Sequence, residues 1–140
     1  MPVLAAIHAL GTRAELLIDA PETPALRAVA DAAIDELRLW HDCLSLFQPH
    51  SFLSHINREA AHHPVPLDED LWSLLSLCAT VHNASAGAFD PTIAGLMSQH
   101  GLHPGEDAPV GWSRLVNLDA ASRTIRFNQH GVRLDLGAIA

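Results

Sequence analysis

The chain has 140 residues, 49% of them hydrophobic and 17% charged, with a formal net charge of −8, which is enough for one globular domain with a core and argues against disorder. It contains no lysine, and its eight arginines, Arg13, Arg27, Arg38, Arg58, Arg114, Arg123, Arg126 and Arg133, are scattered, so no basic stripe forms and no nucleic-acid partner is expected. No apolar run reaches the ~18 residues of a membrane-spanning helix.

The start, Met1 to His8, is too short and too uncharged for a secretory leader, and a cytoplasmic location is expected for the chain as written. The first predicted element is a strand from Glu15 to Asp19, preceded by Gly11-Thr12 and ended by Pro21. Thr23-Pro24 then reads as a hydroxyl cap with proline in the first turn. Leu26, Ala30, Ala33, Leu37, Trp40 and Leu44 recur at helical spacing, which predicts one long helix to about Ser45. Pro49 breaks it. Ser51 caps a short second helix carrying Leu53, Ile56 and Asn57.

His62 to Pro66 reads as a connector. Asp68 caps a third helix whose buried face holds Leu71, Leu74, Leu75, Cys78, Ala79 and His82 or Val81, and which ends at Ala86-Gly87. Pro91 opens a short fourth helix through Ile93, Leu96 and Met97. Gly101 to Gly111 is rich in glycine and proline and reads as loop. Three extended runs follow: Leu115–Leu118, Thr124–Phe127 and Val132–Leu136, with His130-Gly131 suited to positive φ. Strand, helices, then strands predicts an α+β fold, with helices packed on a largely antiparallel sheet. The closing run Leu136-Gly137-Ala138-Ile139-Ala140 reads as the beginning of a turn or helix, so the domain reads as incomplete at this end. Cys43 and Cys78 both sit in helical, apolar settings and are expected as free buried thiols.

Four segments have the composition of a ligand site. In Ser85-Ala86-Gly87-Ala88-Phe89-Asp90-Pro91-Thr92, a glycine beside a small residue lets backbone approach a ligand, Phe89 offers a ring, and Asp90 either caps the next helix or faces a ligand. In Leu134-Asp135-Leu136-Gly137-Ala138, a strand delivers one carboxylate ahead of exposed main chain, or simply ends. Phe47, after Leu44-Ser45, either stacks on a ring system or packs into the core. His8-Ala9-Leu10-Gly11-Thr12 sets a glycine and a hydroxyl beside a strand. The ten histidines include the pairs His62-His63 and His100/His103, neither with the helical spacing of a zinc site, and both fit solvated loops better. No serine-hydrolase, P-loop or zinc-protease motif occurs.

The order of these segments resembles the FAD:protein FMN transferase (ApbE) family over nearly the whole chain. The family pattern runs Met-Gly-Thr before the first strand, a long helix ending in Leu-Ser, then Asp-Ser-Glu-Leu-Ser and Asn. Thr-Gly-Gly-Ala-Phe-Asp-Pro-Thr follows, and later Asp-Leu-Gly-Gly-Ile-Ala-Lys-Gly. Here stand Leu10-Gly11-Thr12, Leu44-Ser45, His50-Ser51-Phe52-Leu53-Ser54 with Asn57, Ser85 to Thr92, and Asp135-Leu136-Gly137-Ala138-Ile139-Ala140.

The resemblance implies an enzyme that transfers FMN from FAD to a Thr hydroxyl of an acceptor protein, with Mg²⁺ assistance and AMP released. By the same resemblance Leu10 stands where the family's Met contacts FAD, and Phe47 at a flavin-side position. Ala88, Phe89, Asp90 and Asp135 face FAD. The Ala138 main-chain carbonyl faces Mg²⁺. Leu10 for Met is a swap of similar volume; Ser85-Ala86 replaces Thr-Gly, and Phe52 stands where an acidic residue is common. The family's Lys falls after Ala140, as do the Asp and Ser/Thr side chains that complete its metal site. These residues alone are therefore expected to lack transferase activity. The alternatives are a non-catalytic flavin-nucleotide-binding module, one half of a split enzyme, or a purely structural domain. Family members are often exported or membrane-anchored.

Overall fold

The computed structural model describes residues 1–102 and 105–137. It begins with an antiparallel hairpin, β1 (Pro2–Ala9) and β2 (Thr12–Pro21), in the register Val3↔Ile18 to Ala9↔Thr12. Its turn is Leu10-Gly11, with φ of 54° and 78°. Positive φ at both turn residues matches the twist of the flanking strands. Leucine lacks glycine's freedom there, and its left-handed backbone costs about 1 kcal/mol. The sequence reading anticipated only the middle of β2 and missed β1. Pro2 to Ile7 has no polar residue, so the inward row of Val3, Ala5 and Ile7 cannot be told from the outward row of Leu4 and Ala6.

α1 (Pro24–Leu44) lies over the hairpin, chiefly on β1. Thr23 Oγ1 accepts the Leu26 N–H at 3.2 Å, and Pro24 occupies the first turn, as the local sequence predicts. Ala30, Ile34 and Leu44 are buried, with Leu37 and Trp40 half-buried beside them. α2 (Phe52–Glu59) is capped by Ser51, whose Oγ accepts Ser54 N–H and donates to the Ser45 carbonyl at 2.6 Å. That pair of bonds closes the turn that carries Phe47.

A two-residue strand, β3 (Val65–Pro66), lies inside the expected connector. α3 (Glu69–Ala84) follows, with the Asp68 carboxylate accepting Leu71 N–H at 2.8 Å. The fourth helix, α4 (Ala94–Gln99), starts later than Pro91, because 91–93 form a turn. α5 (Trp112–Leu115) takes Leu115 out of the expected strand. β4 (Val116–Asp119) and β5 (Thr124–Phe127) then complete a second antiparallel sheet in the order β3-β5-β4. Gly131 has the expected positive φ, 83°.

The core lies between α2, α3 and this second sheet: Leu53, Ile56, Leu71, Leu75, Cys78, Leu115, Ile125 and Phe127. Val132, Leu134 and Leu136 enter the same core. The expected third strand, Val132–Leu136, is a correction: its side chains alternate in and out, yet it joins no ladder among the described residues. Its backbone is bonded elsewhere. Leu134 N–H and C=O pair with the Asn57 side chain at 2.7 and 3.1 Å, and Asp135 N–H donates to the Pro91 carbonyl at 2.7 Å. The α+β architecture, with helices on antiparallel sheets, stands as predicted. No described helix is long and apolar enough to cross a membrane.

Both cysteines are free, Cys78 fully buried and Cys43 half-buried. Burial pushes the Cys78 thiol from 9.0 up to about 11. The folded core accepts the neutral thiol, so its stabilising contribution is whole below 9.0 and is lost as pH rises towards about 11. The chain has neither Lys nor Tyr, so little else titrates in that window. Urea titrations should show stability falling by on the order of 2 kcal/mol across it. Cys78→Ala should flatten the slope to what Cys43 leaves, and an unchanged slope in that variant would exclude Cys78 as its source.

Candidate functional site

Two clefts meet on the segment Asp135–Gly137. One, of about 270 Å³, is lined by Leu10, Gly11, His41, Leu44, Ser45, Leu46 and Phe47 together with Asp135 and Gly137. The other, of about 430 Å³, is lined by Ala88, Phe89, Asp90, Ile93 and Met97, again with Asp135 and Gly137. Leu10, Phe47, Ala88, Phe89, Asp90 and Asp135 thus come together from a hairpin turn, a helix exit, an interhelical loop and the final extended segment. Ala138, the residue expected to face a metal, lies outside the described residues.

The first wall rests on the hairpin turn and the end of α1. Leu10 N–H donates to His41 Nδ1 at 3.0 Å. Phe47 is 59% exposed and projects beside it rather than filling the core.

The second wall is a tightly bonded loop. Ala86 and Gly87 take φ of 52° and 83°. A Cβ at Gly87 would meet only His82 Cε1, at 3.6 Å, so backbone conformation rather than space calls for glycine there. Gly87 N–H donates to His82 O, Ala88 N–H to Ser85 O, and Phe89 N–H to Ser85 Oγ at 2.9 Å. His82 Nδ1 lies 2.8 Å from Phe89 O. A carbonyl only accepts, so this ring nitrogen carries the proton.

Asp90 is committed to internal partners. Its Oδ1 accepts Thr92 N–H at 2.9 Å and Thr92 Oγ1–H at 2.6 Å, and its Oδ2 accepts Trp112 N–H at 3.1 Å. Thr92 Oγ1 in turn accepts Gly111 N–H at 2.7 Å. Asp90 therefore closes the turn ahead of α4 and staples it to the start of α5, but it does not cap that helix, whose N-cap is Ile93 with no side-chain bond. Asp135 is oriented through its Oδ1, which accepts Gly137 N–H at 2.9 Å.

The ApbE family model matches residues 10–140. The chain belongs to the ApbE family. It is 33% identical over 102 residues to the FAD:protein FMN transferase of Chlamydia trachomatis, covering 64% of this chain and 32% of that protein. It is 32% identical over 114 residues to the Chlamydia pneumoniae enzyme of the same name, covering 71% and 36%. The fold matches the ApbE protein of Thermotoga maritima with a TM-score of 0.84 at 22% identity, over 99% of this chain and 48% of that one. The flavin transferase ApbE of Vibrio cholerae matches with a TM-score of 0.82 at 16% identity, over 99% and 49%. This ApbE chain thus spans about a third of the curated relatives and about half of the solved structures.

Four residues that organise these clefts were assigned no role from the sequence. Asn57 and Thr92 stood in the family pattern without one: Asn57 holds Leu134 and hence Asp135, and Thr92 is fully buried. His82 appeared as one alternative for a buried helix face, and His41 looked like any late-helix histidine. Each has a partner 7 to 77 residues distant along the chain, although Thr92 also bonds Asp90 two residues back. Of the loop histidines, His63 Nε2 lies 3.4 Å from Glu59 and the His62 ring packs 5.0 Å from that of His130.

Proposed function

We propose that the chain forms the amino-terminal part of an FAD:protein FMN transferase. It would bind FAD across the two joined clefts, and the enzyme would pass FMN to a Thr hydroxyl of an acceptor protein. In that reaction the hydroxyl oxygen forms a bond to the FMN-side phosphorus, the pyrophosphate P–O bond breaks, and AMP leaves. The observation that carries this reading is the convergence of Leu10, Phe47, Ala88, Phe89, Asp90 and Asp135 on clefts sharing Asp135–Gly137. Their size suits an extended dinucleotide, and a site assembled from several loops on a packed scaffold is the usual form for a small ligand. The exposed ring of Phe47 offers a flat apolar surface to an isoalloxazine.

The family resemblance implies Mg²⁺, which takes oxygen ligands, and the Ala138 carbonyl assigned to it lies outside the described residues. Among them no three His, Cys, Asp or Glu side chains lie close enough to hold a metal ion, and Asp90 already serves internal donors. For that reason a second reading is kept, in which the chain holds a flavin nucleotide without transferring it.

Flavin fluorescence during titration with FAD, with and without Mg²⁺, separates the two. Saturable FAD binding is expected in both, and AMP release from these residues alone in neither. Binding strengthened by Mg²⁺ would favour the transferase; binding unaffected by Mg²⁺ would favour the module. Absence of saturable FAD binding would overturn both.

A further inference from the structure

The β1–β2 turn is bonded to the side chain of His41 on α1. Leu10 adopts φ of 54°, a conformation that persists in leucine only when its surroundings enforce it. Its N–H donates to His41 Nδ1 at 3.0 Å, across 31 residues of sequence. A backbone N–H can only donate, so Nδ1 must be bare and the neutral ring carries its proton on Nε2. His41 also lines two clefts at once: the one shared by Leu10, Phe47 and Asp135, and one of about 550 Å³ lined by His8, Thr12 and Arg13. Gly11 of the hairpin turn lines both clefts as well.

The opposite wall is built the other way round. His82 donates through Nδ1 to Phe89 O. Its Nδ1 also lies 4.0 Å from Asp90 Oδ2, whereas the His41 Nδ1 accepts. The other charged or titratable described groups lining its two clefts are His8 and Arg13 of the hairpin and Asp135. The exposed Arg38 and Asp42 neighbour it on α1.

We propose that His41 is a positioning residue of the flavin-nucleotide cleft, acting through the Leu10 N–H. The proposal rests on the reading of these clefts as the FAD site.

The test compares the unaltered chain with His41→Gln, whose amide oxygen can accept the same N–H, and with His41→Leu. FAD affinity is read by flavin fluorescence and amide exchange at Leu10 by NMR. His41→Leu should weaken FAD roughly tenfold, the worth of one lost hydrogen bond, and expose the Leu10 amide to exchange. His41→Gln should restore most of both. Equal affinity and equal Leu10 protection in His41→Leu would overturn the proposal, as would a His41→Gln variant no better than His41→Leu in both. Should the unaltered chain bind no FAD, the functional reading fails. The role of His41 is then judged by Leu10 exchange and by the ¹⁵N signature of a bare Nδ1, and a protonated Nδ1 at neutral pH overturns it.

Discussion

Replacing Asn57 with leucine is expected to lower the unfolding free energy by about 2–4 kcal/mol, through two lost hydrogen bonds and two buried groups left without partners. The Asn57 amide grips one residue twice: Oδ1 takes Leu134 N–H at 2.7 Å and Nδ2 donates to Leu134 O at 3.1 Å. Leu134 is fully buried, so water cannot replace either bond without opening the core. Asn57→Asp keeps the shape but sets a carboxylate oxygen against the Leu134 carbonyl, and should destabilise at least as much. Asp135 follows Leu134 directly, so FAD affinity should fall with stability in both variants. Urea unfolding with an unchanged m-value checks the energetic part. A loss below about 0.5 kcal/mol, the range of an ordinary surface substitution, would mean that the Leu134 backbone finds other partners.

The second large effect is expected at Asp90. Asp90→Ala strips acceptors from Thr92 N–H, Thr92 Oγ1–H and Trp112 N–H, at an expected cost of about 2–4 kcal/mol. Asp90→Asn keeps one oxygen for Thr92 but turns an amide N–H towards Trp112 N–H, and should fall between the two. Thr92→Val breaks the same staple from its other end, by removing the acceptor of Gly111 N–H, and leaves the carboxylate in place. Because both Asp90 oxygens serve internal donors, Thr92→Val and Asp90→Ala should weaken FAD to a similar degree. Loss of FAD binding in Asp90→Ala with thermal stability unchanged would show instead that the carboxylate touches the ligand and that the staple matters little.

The elements legible in the sequence are those whose causes lie within a few residues. Thr23, Ser51 and Asp68 each cap a helix by reaching the N–H three residues ahead, and a reader needs only that spacing to find them. β1 was hidden because both of its faces are apolar. β3 was hidden because a two-residue strand has no period at all, and Val65 becomes a strand only when Ile125 lies beside it. At Val132–Leu136 the extended run was legible, and Val132, Leu134 and Leu136 are the residues it buries. The partner of its backbone was not, since an asparagine 77 residues earlier supplies it.

The candidate site divides along the same line. By itself the sequence determined the family, through Gly87-Ala88-Phe89-Asp90-Pro91-Thr92 and Asp135-Leu136-Gly137, and with it the residues around which a ligand would gather. Only the tertiary structure decided that these segments share one segment of chain as a common floor, that Asp90 spends its carboxylate on Thr92 and Trp112, and that His41 and His82 hold the two walls through the same ring nitrogen in opposite roles, Nδ1 accepting in His41 and donating in His82. The reason is physical. A motif records which side chains stand close along the backbone, whereas a hydrogen bond is decided by what folding sets within 3 Å or so of a donor. For His41 that neighbour is an amide 31 residues away.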